Sequence, residues 1–223
     1  MSVEYPRETV IILDFGGQYT QLIARRVRQC HVYSEIHPWN VSLETLRRLQ
    51  PRGLILSGGP ASVYAPGAPL TNPAVFDLGV PVLGICYGMQ LMTHQLGGQV
   101  ARAAEREFGA ADLTIDEALP LFADLEVQTT PVWMSHGDRI AALPPGFRAI
   151  AHSDNSPIAA MRDSAGRLYG IQFHPEVAHT PQGERMLQNF LYHVCNCSPD
   201  WTMHAFIEPA VAAIRERVGE DRV

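Results

Sequence analysis

"VPVLGICYGMQLMTHQLGG" (residues 80–98) decides the fold. A short apolar run enters Gly84-Ile85-Cys86-Tyr87-Gly88, and a helical segment follows that closes at Gly97-Gly98, a helix stop signal. The G-x-C-x-G form reads as a strand-to-helix elbow. A β-carbon at either glycine would clash where the backbone closes on itself, and the residue between is held in a strained conformation above the sheet edge. A thiol there also lies at a helix N-terminus, which favours the reactive thiolate.

The flanking sequence alternates in the same way. "TVIILDF" (9–15) is a continuous apolar run that suits a strand buried on both faces. A helix follows with Leu22, Ile23 and Val27 at helical spacing. Then come a strand (31–37), a helix (42–50) with Ser42 as N-cap, and strands at 52–58 and 79–85. From 99 to 173 the pattern changes to short candidate strands: "GQVARA", "ADLTI", "VQTTPVWMS", "FRAIAHS", "PIAAMRD" and "RLYGIQFH". Pro, Gly and Asp turns separate them, with "DSAG" (163–166) as a hairpin tip. The segment 183–194 reads as one amphipathic closing helix. The expected fold is α/β: an open, mostly parallel twisted sheet with helices on both faces and an added antiparallel or mixed strand region.

Bulk properties narrow the function. The 223 residues suit one sizeable domain, and 46% hydrophobic with 18% charged residues describes an ordinary globular chain. A net charge of −6 without clustered cations argues against nucleic acid as a partner. Arg25, Arg26 and Arg28, like Arg47 and Arg48, read as solvated helix faces. No apolar run reaches a membrane span, so no membrane is expected, and the N-terminus lacks signal-peptide character, which leaves a cytoplasmic expectation. Cys30, Cys86, Cys195 and Cys197 are too sparse for a disulfide framework. "CNC" has no second ligand pair at metal spacing, so no metal site is expected.

A thiolate needs a base, and the base an orienter. "GIQFHPEVAHT" (170–180) supplies both: His174 and Glu176, two apart on an extended chain, project to one side. "LILSGGPASV" (54–63) ends a strand in Gly58-Gly59-Pro60 at the same carboxyl edge as Cys86, so the Gly59 and Tyr87 N–H groups could converge on an oxyanion. A phosphate loop is the weaker reading, because no Gly-Lys-Ser/Thr follows and Pro60 removes a donor. "DFGGQY" (14–19) lacks the dinucleotide pattern.

Together, "ILDFGGQYTQLIARRVR", "LSGGPASVY", "VLGICYGMQLMTHQLGG", "WMSHGD" and "GIQFHPEVAHT" resemble the triad-type glutamine amidotransferases, and among them most closely the glutaminase portion of the GMP synthetases. The resemblance implies Cys86 as nucleophile toward glutamine, His174 as base then acid, and Glu176 as its orienter, with Gly59 and Tyr87 at oxyanion positions. It implies that Gly58, Gln90, Ser135, His136 and Gly137 hold the substrate. Asp138 and Arg139 are carried as pocket or interface residues, with a charged turn as their rival reading.

The resemblance further implies a glutaminase domain over 1–198 and a connector helix over 199–223 toward an absent ATP pyrophosphatase domain. That domain would be covalent or a partner subunit, and would aminate xanthosine monophosphate. No cofactor is expected in this chain; ATP and magnesium would belong to the absent domain, through which a homodimer is also conceivable. The apolar stripe of 200–223 is expected to pack poorly without it. The alternatives are a glutaminase of another pathway, such as anthranilate or carbamoyl phosphate synthesis, and a binding module on a degenerate scaffold.

Overall fold

The computed structural model describes residues 8–125 and 127–219. β1 (Thr9–Asp14) is buried on both sides: Val10 and Ile12 join one apolar cluster, Ile11 and Leu13 another. Alternate side chains leave a strand on opposite faces, so a continuous apolar strand needs two covers. Both are helical. α1 (Thr20–Gln29) places Ile23, Ala24 and Val27 in the first cluster, joined by Met186 and Leu187 of α4 (Gly183–Asn189). α2 (Leu43–Leu49) gives Leu46 to the second, and α3 (Tyr87–Gln95) gives Met89, Leu91 and Met92. Ser42 caps α2 as the sequence indicated, accepting the Thr45 N–H at 3.1 Å.

The remaining strands are β2 (Tyr33–Pro38), β3 (Gly53–Leu56), β4 (Val82–Ile85), β5 (Gln99–Ile115), β6 (Thr129–Ala142), β7 (Phe147–His152), β8 (Ala160–Asp163) and β9 (Leu168–Ile171). They form one nine-stranded sheet in the order β2-β1-β3-β4-β9-β8-β7-β5-β6. The first five run parallel and the rest continue antiparallel. The expected α/β fold with its antiparallel addition is therefore present. Its key step is the β8–β9 hairpin, where Asp163 Oδ1 accepts the Arg167 and Leu168 N–H groups. The hairpin turns the late β9 back to lie parallel beside β4.

Three local readings differ. "GQVARA" and "ADLTI" are not separate strands but parts of the 17-residue β5. Pairing with β6 carries the backbone through the polar middle, with the register shift between Arg102 and Glu107 absorbing the irregularity. The helix read over 183–194 stops at Asn189 and widens into a π-helical turn, Phe190–Val194, closed by the Cys195 N–H on the Phe190 carbonyl. Phe190 and Leu191 are both fully buried there. Asp138 and Arg139 lie within β6, not in a turn.

α5 (Met203–Val218) follows the domain. Ile207, Val211 and Ile214 on it are exposed, as the sequence reading of a poorly packed stripe anticipates. The Phe206 side chain and residues 220–223 lie outside the described part. No helix among the described residues is long and apolar enough to cross a membrane.

Candidate active site

Cys86, His174 and the Gly58-Gly59 pair follow the carboxyl ends of three adjacent parallel strands, β4, β9 and β3. Adjacency brings them together: Gly84 is registered with Gly170 and Ile85 with Ile171, and the Cys86 N–H extends the ladder to the Ile171 carbonyl at 2.8 Å. They line a cavity of about 840 Å³ at this edge, where open α/β sheets bind ligands.

The elbow has the expected geometry. Cys86 has φ 50°, in the left-handed region that non-glycine residues rarely adopt. A β-carbon on Gly84 would lie 2.6 Å from the Gly88 carbonyl, and one on Gly88 2.4 Å from the Leu56 carbonyl oxygen. Only glycine fits either place.

His174 Nδ1 bonds Glu176 Oε1 at 2.7 Å, and the ring shares the cavity wall with Cys86, both lying against Gly58. Burial disfavours a charged ring. Its interactions with Cys86 and Glu176 overcome this, and the His174 pKa is pushed up to about 10. Glu176 is fully buried, and its second oxygen has no partner among the described residues. The backbone of this segment is clamped. The His174 N–H donates to the Trp133 carbonyl on β6, the Thr180 hydroxyl donates to the His174 carbonyl, and Arg26 of α1 donates to the Glu176 carbonyl. Tyr19 packs edge-on against the imidazole at 5.2 Å between centroids.

Gly58 lies against both partners: a β-carbon on it would come within 3.0 Å of His174 Cε1. Gly59 lines the cavity. Neither its N–H nor that of Tyr87, at the start of α3, meets an acceptor among the described residues. The Tyr87 side chain turns elsewhere, its hydroxyl donating to the Pro69 carbonyl at 2.9 Å. "DFGGQY" is wound by Asp14, whose Oδ1 accepts from the Gly16 N–H and the Thr20 hydroxyl.

Ser135, His136, Gly137 and Asp138 form the opposite wall on β6, with Gln90 of α3 beside them. The Cys86 thiol donates to the Ser135 carbonyl at 3.5 Å, and Gln90 Nε2 donates to the Asp138 carbonyl at 2.8 Å. The His136 ring is already engaged. Nδ1 lies 3.1 Å from the Asp138 carbonyl and Nε2 3.0 Å from Glu107 Oε2. Its segment therefore offers the cavity backbone, not imidazole. Arg139 donates to the Asn155 carbonyl instead of lining the cavity.

Two contributors escaped the sequence reading. Glu107, on β5, is buried and also accepts from Ser153 and Ser156. Gln172 is fully buried with Nε2 3.7 Å from Cys86 Sγ. Glu107 gave no local signal. Gln172 did, because the two-residue alternation joining His174 to Glu176 reaches it one step earlier.

The arrangement sets a thiol nucleophile beside an imidazole–carboxylate pair, the constellation of covalent acyl transfer. Among the described residues no cluster of potential ligands for a metal ion occurs.

Comparison with known proteins agrees with this chemistry. The family model described as glutamine amidotransferase class-I matches residues 11–194. The chain is 56% identical over 218 residues to a GMP synthase [glutamine-hydrolyzing] of Heliobacterium modesticaldum, with 98% of this chain and 42% of that protein covered. With its counterpart in Trichormus variabilis it is 53% identical, covering 97% and 40%. The chain thus spans about two fifths of the length of these curated relatives. Among solved structures, a candidate GMP synthase subunit from Thermoplasma acidophilum matches with a TM-score of 0.74 and 27% identity, covering 92% of this chain and 99% of that one. The chain belongs to the class-I glutamine amidotransferase family.

Proposed function

We propose that this chain is the glutaminase module of a GMP-forming enzyme, hydrolysing glutamine to glutamate and handing on ammonia. The observation that carries the reading is the Cys86–His174–Glu176 relay over adjacent strands, with the sulfur on a left-handed elbow.

In this reading the Cys86 thiolate attacks the side-chain amide carbon of glutamine. The electron pair of the carbonyl moves to oxygen, which the Gly59 and Tyr87 N–H groups receive. His174 gives its proton to the departing nitrogen, and ammonia leaves a γ-glutamyl thioester. A water then gives a proton to His174 and attacks the thioester, and glutamate leaves as Cys86 is restored. Glu176 keeps the imidazole oriented throughout. Gln90 and the backbone of Ser135, His136 and Gly137 hold the amino-acid end, and Gly58 leaves room for His174 beside Cys86.

The GMP synthase relatives support the acceptor pathway. Amination of xanthosine monophosphate, with ATP and magnesium, belongs to a synthetase portion outside residues 1–223, in a cytoplasmic setting. Residues 1–198 form the glutaminase domain, and α5 is the connector, its exposed Ile207, Val211 and Ile214 meeting that portion. Glutamate release should be measured with and without a GMP synthetase partner charged with ATP and xanthosine monophosphate. Release that rises with the partner and disappears in Cys86→Ala supports the proposal. No release in the charged complex rejects it.

A further inference from the structure

We propose that Gln172 is a further catalytic residue, an amide donor that holds the Cys86 sulfur as thiolate and ties it to Gln90. This rests on Cys86 being the nucleophile.

Gln172 lies one residue beyond β9, fully buried, with its backbone N–H fixed on the Ala159 carbonyl at 2.8 Å. Its side chain spans two groups of the site: Nε2 is 3.7 Å from Cys86 Sγ, and Oε1 accepts from Gln90 Nε2 at 3.4 Å. The direction of this chain is fixed by chemistry. The Asp138 carbonyl can only accept, so Gln90 must present its NH₂ there, at 2.8 Å. The same NH₂ faces Gln172, which must answer with its oxygen. The Gln172 NH₂ is then left for the sulfur. Flipping Gln172 would set two donors against each other at Gln90 and turn its oxygen on a sulfur whose proton already goes to the Ser135 carbonyl.

An N–H aimed at sulfur stabilises a thiolate more than a thiol, because donors bond most strongly to charged acceptors. The thiol form has its own outlet, the Ser135 carbonyl at 3.5 Å. Gln172 carries no titratable proton, so its support persists whatever the state of His174, the neighbouring ionisable group. A substrate grasped by Gln90 would pull on the same chain, which links occupancy of the pocket to the electrostatics of the nucleophile.

The test is alkylation of Cys86 by iodoacetamide across pH, followed by mass spectrometry of the Cys86 peptide, so that buried Cys30, Cys195 and Cys197 do not contribute. Iodoacetamide reads the thiolate whether or not glutamine is the substrate. Gln172→Met should move the profile to higher pH and slow reaction on its rising limb by about tenfold, the loss expected for one bond to a charged acceptor. Gln172→Glu keeps the size and shape, and should lose reactivity as its carboxyl ionises. Wild-type profiles in both variants would overturn the proposal. Should Gln172→Met fail to fold, the profile of Gln172→Glu decides alone. A chain that hydrolyses no glutamine, yet shows these shifts, defeats the glutaminase reading and supports this inference.

Discussion

Two buried histidine–glutamate pairs lie among the described residues, and they are put to opposite uses. His174 bonds Glu176 at 2.7 Å and His136 bonds Glu107 at 3.0 Å. The distances hardly distinguish them; the second ring nitrogen does. In His174 it faces a thiol, a partner that can exchange a proton. In His136 it faces the Asp138 backbone carbonyl, which can only accept. With acceptors at both nitrogens His136 has nothing to trade, and it pins β6 to β5 and to the 153–156 turn through Glu107. A histidine–carboxylate pair becomes a base only where the fold leaves one nitrogen facing a reactive group.

The comparison breaks most visibly at the first pair. His174→Ala should lower glutamate release by about 10⁴-fold or more, since the members of such a relay act as a unit. Its melting temperature should fall as well, because the fully buried Glu176 loses its partner, and calorimetry would show the drop. At the second pair the loss of stability should remain while the loss of catalysis disappears. Glu107→Gln replaces the buried carboxylate shared by His136, Ser153 and Ser156 with an amide that has one acceptor oxygen fewer, and should cost about 3 kcal/mol of stability, a drop of roughly 6–12 °C in melting temperature. Its kcat should stay within about tenfold of wild type while the KM for glutamine rises, as the strand that grips the substrate loosens. A large fall in kcat with normal stability would place Glu107 in the chemistry.

The smallest effect sharpens the contrast through pH. Burial opposes the charge on His174, but its interactions with Cys86 and Glu176 raise its pKa from 6.5 to about 10. A raised value means stability that is complete below about pH 6.5 and is lost as pH climbs through about 10. Burial likewise opposes the charge on Glu107, yet bonds from His136, Ser156 and Ser153 hold its pKa below the usual 4.5. That stability is present above about pH 4.5 and is lost as pH falls further. Melting temperature plotted against pH should therefore sag at both ends. His174→Gln should flatten the alkaline limb and Glu107→Gln the acid one.

Legibility follows the same division. The first pair was readable because its parts are neighbours in sequence: His174 and Glu176 are two apart, and Cys86 announces itself between obligatory glycines. The parallel strands were readable from their unbroken apolar runs. Glu107 was not, since it stands 29 residues from His136 in a polar stretch that looked like a break between two strands. Only pairing with β6 shows that stretch to be strand, and pairing over that distance leaves no local periodicity. The oversight at His136 has the same origin: its motif placed it at the pocket, but the partner that occupies its ring lies elsewhere in the chain. Asp138 and Arg139 look like turn residues by composition, and register overrides composition there.

The left-handed backbone at Cys86 carries a consequence for durability. Holding any residue other than glycine at that angle costs on the order of 1–3 kcal/mol, an expense the rest of the domain must absorb. Swapping the cysteine for glycine would remove the burden along with the reactive sulfur, giving an inert chain sturdier than the active one. Mutational drift toward toughness would thus erase this residue early, and its presence marks a protein kept for what it does, at the expense of how long it lasts.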